Sequence, residues 1–131
     1  DWHIKNTCDK LNLQYIKQGT RKDTMAKWGI KLPIDRANRI HDFIINKDGK
    51  LVIIETNFYS VSGSKLKATA GEYQELHKFL NDKEEVHSFI WITDGIGWQK
   101  TQGSLKEAFT ILDYLFNIKL VSHGALEEIL R

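Results

Sequence analysis

Asp42 and Glu55 are the residues whose type and spacing most directly suggest chemistry. They flank Asn46-Lys47-Asp48-Gly49-Lys50, and Asp-Gly between two runs rich in Ile, Val and Phe is a hairpin signal. If Asp48-Gly49 is a two-residue turn, Lys47 faces Lys50 and Asp42 falls directly across from Glu55. Directly opposed Cβ atoms lie about 4.5–5.5 Å apart, where like charges repel. Ile44 with Ile53, and Ile40 with Asn57, are further pairs on that face, so the acids close the polar end of a partly apolar surface. A three-residue loop would make the pair diagonal and still let both acids reach one ion. Two readings fit. A divalent metal that prefers oxygen ligands, such as Mg²⁺, bridges the acids; or Arg39 and nearby lysines neutralise them, as solvated acids at strand ends.

The elements that must position these acids follow from periodicity and turn residues. Leu11, Leu13 and Tyr15 alternate with polar residues, which predicts a strand near 11–18, broken at Gly19-Thr20. Thr20–Trp28 reads as a short helix with Gly29 as its left-handed cap, and Pro33 makes Gly29–Asp35 loop or edge strand. Arg39–Asn46 and Leu51–Tyr59 are the hairpin strands. Leu66, Ala70, Tyr73, Leu76 and Leu80 stripe an amphipathic helix over Ser64–Leu80. Val86–Thr93 reads as a buried strand, Leu105–Phe116 as a helix, Ile118–Val121 as a strand and Ala125–Leu130 as a closing helix. That order predicts an α/β fold, a mixed central sheet flanked by helices.

At 131 residues, 41% hydrophobic and 27% charged, the chain reads as one domain with its own core, which excludes disordered and collagen-like classes. The longest apolar run, near Leu51–Ile54, is too short to span a bilayer. A lone Cys8 excludes a disulfide framework or a cysteine zinc cluster and suits a reducing cytosol, and no secretory leader opens the chain. The start at Asp1 without Met suggests a piece of something longer. Residues 1–67 hold 13 Lys/Arg against 7 Asp/Glu, and residues 68–131 hold 6 against 10. A net +6 against −4 predicts a basic face suited to a polyanion, or simply unevenly solvated charge.

An Asp, about a dozen residues, then Glu-x-polar on the next strand looks like the PD-(D/E)xK nuclease core. More narrowly, His41-Asp42-Phe43-Ile44-Ile45, Ile54-Glu55-Thr56-Asn57-Phe58-Tyr59 and Gly63-Ser64-Lys65-Leu66-Lys67, in this order, resemble the DpnII/MboI family of type II restriction endonucleases. So do Phe89-Ile90-Trp91-Ile92-Thr93-Asp94-Gly95-Ile96-Gly97-Trp98 and Leu105-Lys106-Glu107-Ala108-Phe109. The resemblance runs from about Tyr15 to the C-terminus. It implies one nuclease catalytic domain over residues 1–131, lacking an N-terminal part of the full protein.

The same resemblance implies Mg²⁺-dependent hydrolysis of double-stranded DNA at GATC, cut 5′ to the G to leave four-base 5′ overhangs. Asp42, Glu55 and the Thr56 carbonyl would hold the metal, which activates water and offsets phosphate charge. A palindromic site implies a homodimer, and a restriction system implies a companion DNA methyltransferase and a bacterial or archaeal cytoplasm. One residue departs from the wider motif. Its lysine, two residues after the Glu, is here Asn57, which can hydrogen-bond water or phosphate but carries no charge. Lys65 or Lys67 could return the cation. Lys65 is favoured because it follows Gly63-Ser64 at a helix N-terminus, where amides already receive phosphate. Ser64, Lys67 and Trp98 are candidate DNA contacts, though Trp98 could equally pack, and Glu72 is either a third acid or a solvent-facing helix residue. His3, His41, His77, His87 and His123 show no zinc-ligand spacing. The competing expectations are a nuclease-like DNA-binding domain that does not cut, and a structural or interaction domain that does not bind DNA.

Overall fold

Ile4, Cys8 and Leu11 recur at helical spacing and give α1 (Trp2–Leu11) the apolar face by which it packs. The computed structural model describes residues 2–58, 64–94 and 112–131. After α1 come β1 (Gln14–Gly19) and α2 (Arg21–Trp28). Thr20 and Asp23 close a capping box at the start of α2, and Gly29, at φ 68°, ends it in the left-handed conformation its sequence position predicts. The hairpin is β2 (His41–Lys47) and β3 (Lys50–Phe58), followed by α3 (Ser64–Leu80) and β4 (Val86–Asp94). The chain closes with β5 (Tyr114–Phe116), α4 (Ile118–Ser122) and α5 (Ala125–Leu130).

Among the described residues the strands form one five-stranded mixed sheet in the order β1-β2-β3-β4-β5. The first three are antiparallel, while β3, β4 and β5 run parallel. The hairpin register is the expected one: Lys47 pairs with Lys50, Ile44 with Ile53 and Phe43 with Ile54. Asp48 (φ 52°) and Gly49 (φ 89°) both take positive φ, the signature of a type I′ turn, and Asn46 Oδ1 accepts the Gly49 N–H at 2.9 Å.

Helices cover both faces of the sheet. Ile44, Leu51, Ile53, Phe89 and Trp91 meet Ala70, Tyr73, Leu76 and Leu80 of α3 on one side. Phe43, Ile45, Val52, Ile54, Ile90 and Ile92 meet α1, α4 and α5 on the other, through Ile4, Cys8, Val121, Leu126 and Leu130. Two covered faces explain why β3 and β4 are almost continuously apolar rather than alternating. Burying each such side chain contributes roughly 1.5–3 kcal/mol. Burial, with Asp9 beside it, pushes the Cys8 thiol up to about 11, so Cys8 serves as an unreactive core residue.

Three expectations are corrected. Residues 2–11 form a helix that the sequence pattern does not predict, and the strand expected near 11–18 runs over Gln14–Gly19. The helix expected over Leu105–Phe116 is a strand at its end: Tyr114, Leu115 and Phe116 pair with Ile90, Trp91 and Ile92. Leu115 therefore joins the α3 face while its two aromatic neighbours join the other. Residues 105–111 lie outside the described residues. The strand expected at Ile118–Val121 is helix α4, because Asn117 Oδ1 accepts the Leu120 N–H at 2.8 Å and caps the turn. A four-residue apolar run has no periodicity to oppose that cap.

Gly19, which pairs with His41, brings β1 close against Ile44. A Cβ there would stand 2.7 Å from Ile44 Cδ1 and 3.2 Å from Ile16 Cγ2. Gly19→Ala is expected to cost about 1–3 kcal/mol in urea unfolding. Adding Ile44→Val, which removes the clashing methyl, should recover part of that loss; strictly additive losses would show that this contact is not the cause.

Candidate active site

The ladder between β2 and β3 stops at Phe43–Ile54, and one step beyond it the side chains of Asp42 and Glu55 take over the cross-strand bonding. Glu55 Oε1 accepts the Asp42 backbone N–H at 2.9 Å, and Asp42 Oδ2 accepts the Thr56 backbone N–H at 2.8 Å. Each acid therefore binds the amide of the opposite strand. The Thr56 hydroxyl adds a third bond to Asp42 Oδ2 at 3.2 Å. The two carboxylates are held on one face, as the hairpin arithmetic requires, but by three hydrogen bonds rather than by proximity alone.

Two residues that sequence reasoning missed complete this arrangement. His41 is fully buried, with Nδ1 3.3 Å from Glu55 Oε2 and with Nε2 unpartnered. Gln18 Nε2 reaches Asp42 Oδ1 at 3.4 Å, and Gln18 holds a left-handed φ of 53°. A non-glycine residue in that region stores about 1 kcal/mol or more of strain and tends to mark functional sites. His41 had a signal, its place next to Asp42. Gln18 had none, because only the antiparallel β1–β2 pairing brings it to the site.

Asn57 lies on the same face as Glu55 but is already engaged. The Trp91 indole N–H donates to Asn57 Oδ1, and Asn57 Nδ2 donates to the Tyr73 hydroxyl at 3.2 Å. One Asn57 N–H is left for anything else. Burial first, and then the charges of Glu55, Asp42 and Glu72, drive the Tyr73 hydroxyl well above the usual phenol range, only partly opposed by the Asn57 bond.

Glu72 does not join the other two acids. Its Oε1 bonds Arg39 Nη1 at 3.1 Å and Arg36 Nη2 at 3.3 Å. Arg39 is 5% exposed, its Nε lies 3.5 Å from Asp35, and neither Nε nor Nη2 makes a hydrogen bond. Beside it lies a cavity of about 390 Å³ lined in part by Arg21 and Lys22. Ser64, Lys65 and Lys67 begin α3, as expected, but their side chains lie outside the described residues, as do residues 95–97 and Trp98.

The donor set discriminates between metals. Asp42 and Glu55 offer hard oxygens: Asp42 Oδ1 and both Glu55 oxygens each keep a lone pair beyond one hydrogen bond, while Asp42 Oδ2 is filled by the two bonds from Thr56. Among the described residues no group of three His, Cys, Asp or Glu is placed to hold a metal. Mg²⁺ is commonly held by one or two carboxylates, completing its shell with waters and substrate phosphates, so the pair fits it; a structural zinc site needs four protein ligands.

The family model described as DpnII restriction endonuclease matches residues 1–128. The type II restriction enzyme MjaIII of Methanocaldococcus jannaschii is 48% identical over 131 residues, covering 98% of this chain and 45% of that protein. LlaDCHI of Lactococcus lactis subsp. cremoris, also a type II restriction enzyme, is 36% identical, covering 96% and 43%. The type II restriction enzyme DpnII of Streptococcus pneumoniae is 43% identical over 88 residues, covering 67% and 30%. The chain thus spans less than half the length of these relatives. No solved structure matches it.

The buried Arg39 depends on Glu72 far more than the exposed Arg36 does. Glu72→Ala is expected to cost about 1–3 kcal/mol of stability, since it strands a buried charge, less than for a fully enclosed pair because Glu72 itself meets water. Arg36→Ala should cost under about 1 kcal/mol. Chemical denaturation of the two variants reads the difference, and equal losses would deny Arg39 that dependence.

Proposed function

From the premise that the chain belongs to the DpnII restriction endonuclease family, we propose that it is the catalytic part of a type II restriction endonuclease. It hydrolyses phosphodiester bonds of double-stranded DNA at GATC, with Mg²⁺, leaving 5′ overhangs. The observation that carries this reading is the pair of carboxylates at the open end of β2–β3, each bonded to the other strand's amide. Such a fixed pair, with no Lys or Arg bonded to either member among the described residues, is a place for a divalent ion rather than a structural ion pair.

In this reading Asp42 and Glu55 hold Mg²⁺ with the Thr56 carbonyl, within a PD-(D/E)xK-type core. When bound, the metal would lower the pKa of water and stabilise charge on the phosphate and leaving oxygen. Thr56, through its amide and hydroxyl, orients Asp42, and His41 orients Glu55. Lys65 supplies the cation that Asn57 cannot, and Ser64, Lys67 and Trp98 contact DNA. A homodimer matches the two-fold symmetry of the site, and a DNA methyltransferase protects host GATC sequences. No helix among the described residues is long and apolar enough to cross a membrane, in keeping with a DNA substrate in the bacterial or archaeal cytoplasm.

Asn57 at the motif lysine's position favours a second reading, a DNA-binding domain of nuclease ancestry that does not cut. One assay separates the two: full-length protein on a GATC duplex and on a scrambled duplex, each in Mg²⁺ and in EDTA. The nuclease reading expects cutting of the first duplex only, and only in Mg²⁺. The second expects salt-sensitive binding that Mg²⁺ leaves unchanged, with no product. Asp42→Asn and Glu55→Gln each retain an oxygen to accept the opposing N–H, so they should melt close to the parent yet cut at least about 100-fold more slowly. Unaltered cutting by both variants would remove these acids from the reaction.

A further inference from the structure

The direction of every hydrogen bond around Asn57 is set by donor chemistry. An indole N–H can only donate, so the amide end that faces Trp91 is the oxygen. The nitrogen therefore faces Tyr73, and an amide nitrogen can only donate, so the Tyr73 oxygen is the acceptor of that 3.2 Å bond. The hydroxyl's own hydrogen must then point elsewhere, and among the described residues no acceptor receives it.

The ring that carries this hydroxyl is fixed by packing. Tyr73 is 8% exposed and stands edge-on to Trp91 (centroids 5.1 Å, 83°) and to Phe89 (5.9 Å, 68°). It descends from α3 onto the face that holds Asp42, Glu55 and Asn57. The charges of Glu55, Asp42 and Glu72 are felt at its oxygen and, with burial, keep the hydroxyl protonated. An uncharged O–H donor therefore lies on the sheet face that carries the carboxylate pair, bonded to the residue two beyond Glu55, while the amide of Asn57 is largely consumed in aiming it.

We propose that Tyr73 is a further catalytic residue: its hydroxyl donates a hydrogen bond to a non-bridging oxygen of the scissile phosphate, in the place where the wider motif carries lysine. Asn57 and Trp91 are positioning residues that turn the hydroxyl outward. No proton leaves Tyr73; the bond strengthens as negative charge gathers on the phosphate oxygen. This assignment rests on the nuclease reading above and complements a cation from Lys65.

Tyr73→Phe deletes the hydroxyl and keeps the ring. In the full-length protein, single-turnover cleavage of a GATC duplex should fall about 10- to 100-fold, while duplex affinity in EDTA stays at the parental value and the melting temperature drops only by the loss of the Asn57 bond. Asn57→Ala should also slow cleavage, and Tyr73→Phe/Asn57→Ala should be no slower than Tyr73→Phe, since both act through one hydroxyl. If the parent protein cuts and Tyr73→Phe cuts within twofold of it, the assignment to Tyr73 is wrong and the nuclease reading stands. A Tyr73→Phe loss confined to binding or melting, or losses that multiply in the double variant, would make Tyr73 structural or Asn57 an independent group. A parent protein that cuts nothing in Mg²⁺ overturns both the nuclease reading and this one.

Discussion

The register of the β2–β3 hairpin is the constraint on which the rest of this molecule depends. The I′ turn at Asp48-Gly49 sets which residues face each other, and every pair from Lys47–Lys50 to Phe43–Ile54 obeys it. A slip of one residue would exchange the two faces of the strand. Ile44 would leave its place against α3, Ile45 would leave α1, and Asp42 would no longer share a face with Glu55. The core and the site are consequences of one pairing. The hydrophobic cost of a slip protects an arrangement of acids that would not by itself favour the fold.

Carboxylates opposed across a hairpin repel, yet these persist because each serves as an acceptor for an amide that the sheet no longer pairs. Glu55 is only 5% exposed, and an ionised carboxylate that poorly hydrated must be hydrogen-bonded to be tolerated. Its oxygens have the Asp42 amide and His41; Asp42 has the Thr56 amide and hydroxyl, with Gln18 beyond. The repulsion is thereby reduced without a Lys or Arg between the acids among the described residues. Arg39, which might have neutralised them, is instead committed to Glu72 and Asp35. Its engagement leaves Glu72 bonded to arginines rather than to the first two acids.

Helix α3 contributes differently from the strands. The strands supply charged groups held by the backbone, while α3 covers the same face with apolar contacts and lowers Tyr73 among them. Trp91, from the neighbouring parallel strand, links the two by fixing Asn57. Three elements distant in sequence thus meet at one amide, and a substitution on any of them alters the same hydrogen-bond chain.

Local signals were sufficient for the hairpin, its register, the Gly29 cap of α2, the extent of α3 and the juxtaposition of Asp42 with Glu55, because turn chemistry and short-period patterning act over a few residues. They were enough, with the family blocks, to indicate an α/β nuclease-like chain. They failed at Tyr114–Phe116 and Ile118–Ser122, where short apolar runs are compatible with helix or strand, and pairing with β4 or capping by Asn117 makes the choice. They also could not show that His41 and Gln18 grip the acids, that Glu72 belongs to Arg39, or that Asn57 is bound between Tyr73 and Trp91. Those contacts join residues brought together by strand order and by the packing of α3. Spacing along one chain encodes what lies on a common face; which faces then meet is decided only when the apolar layers close on one another.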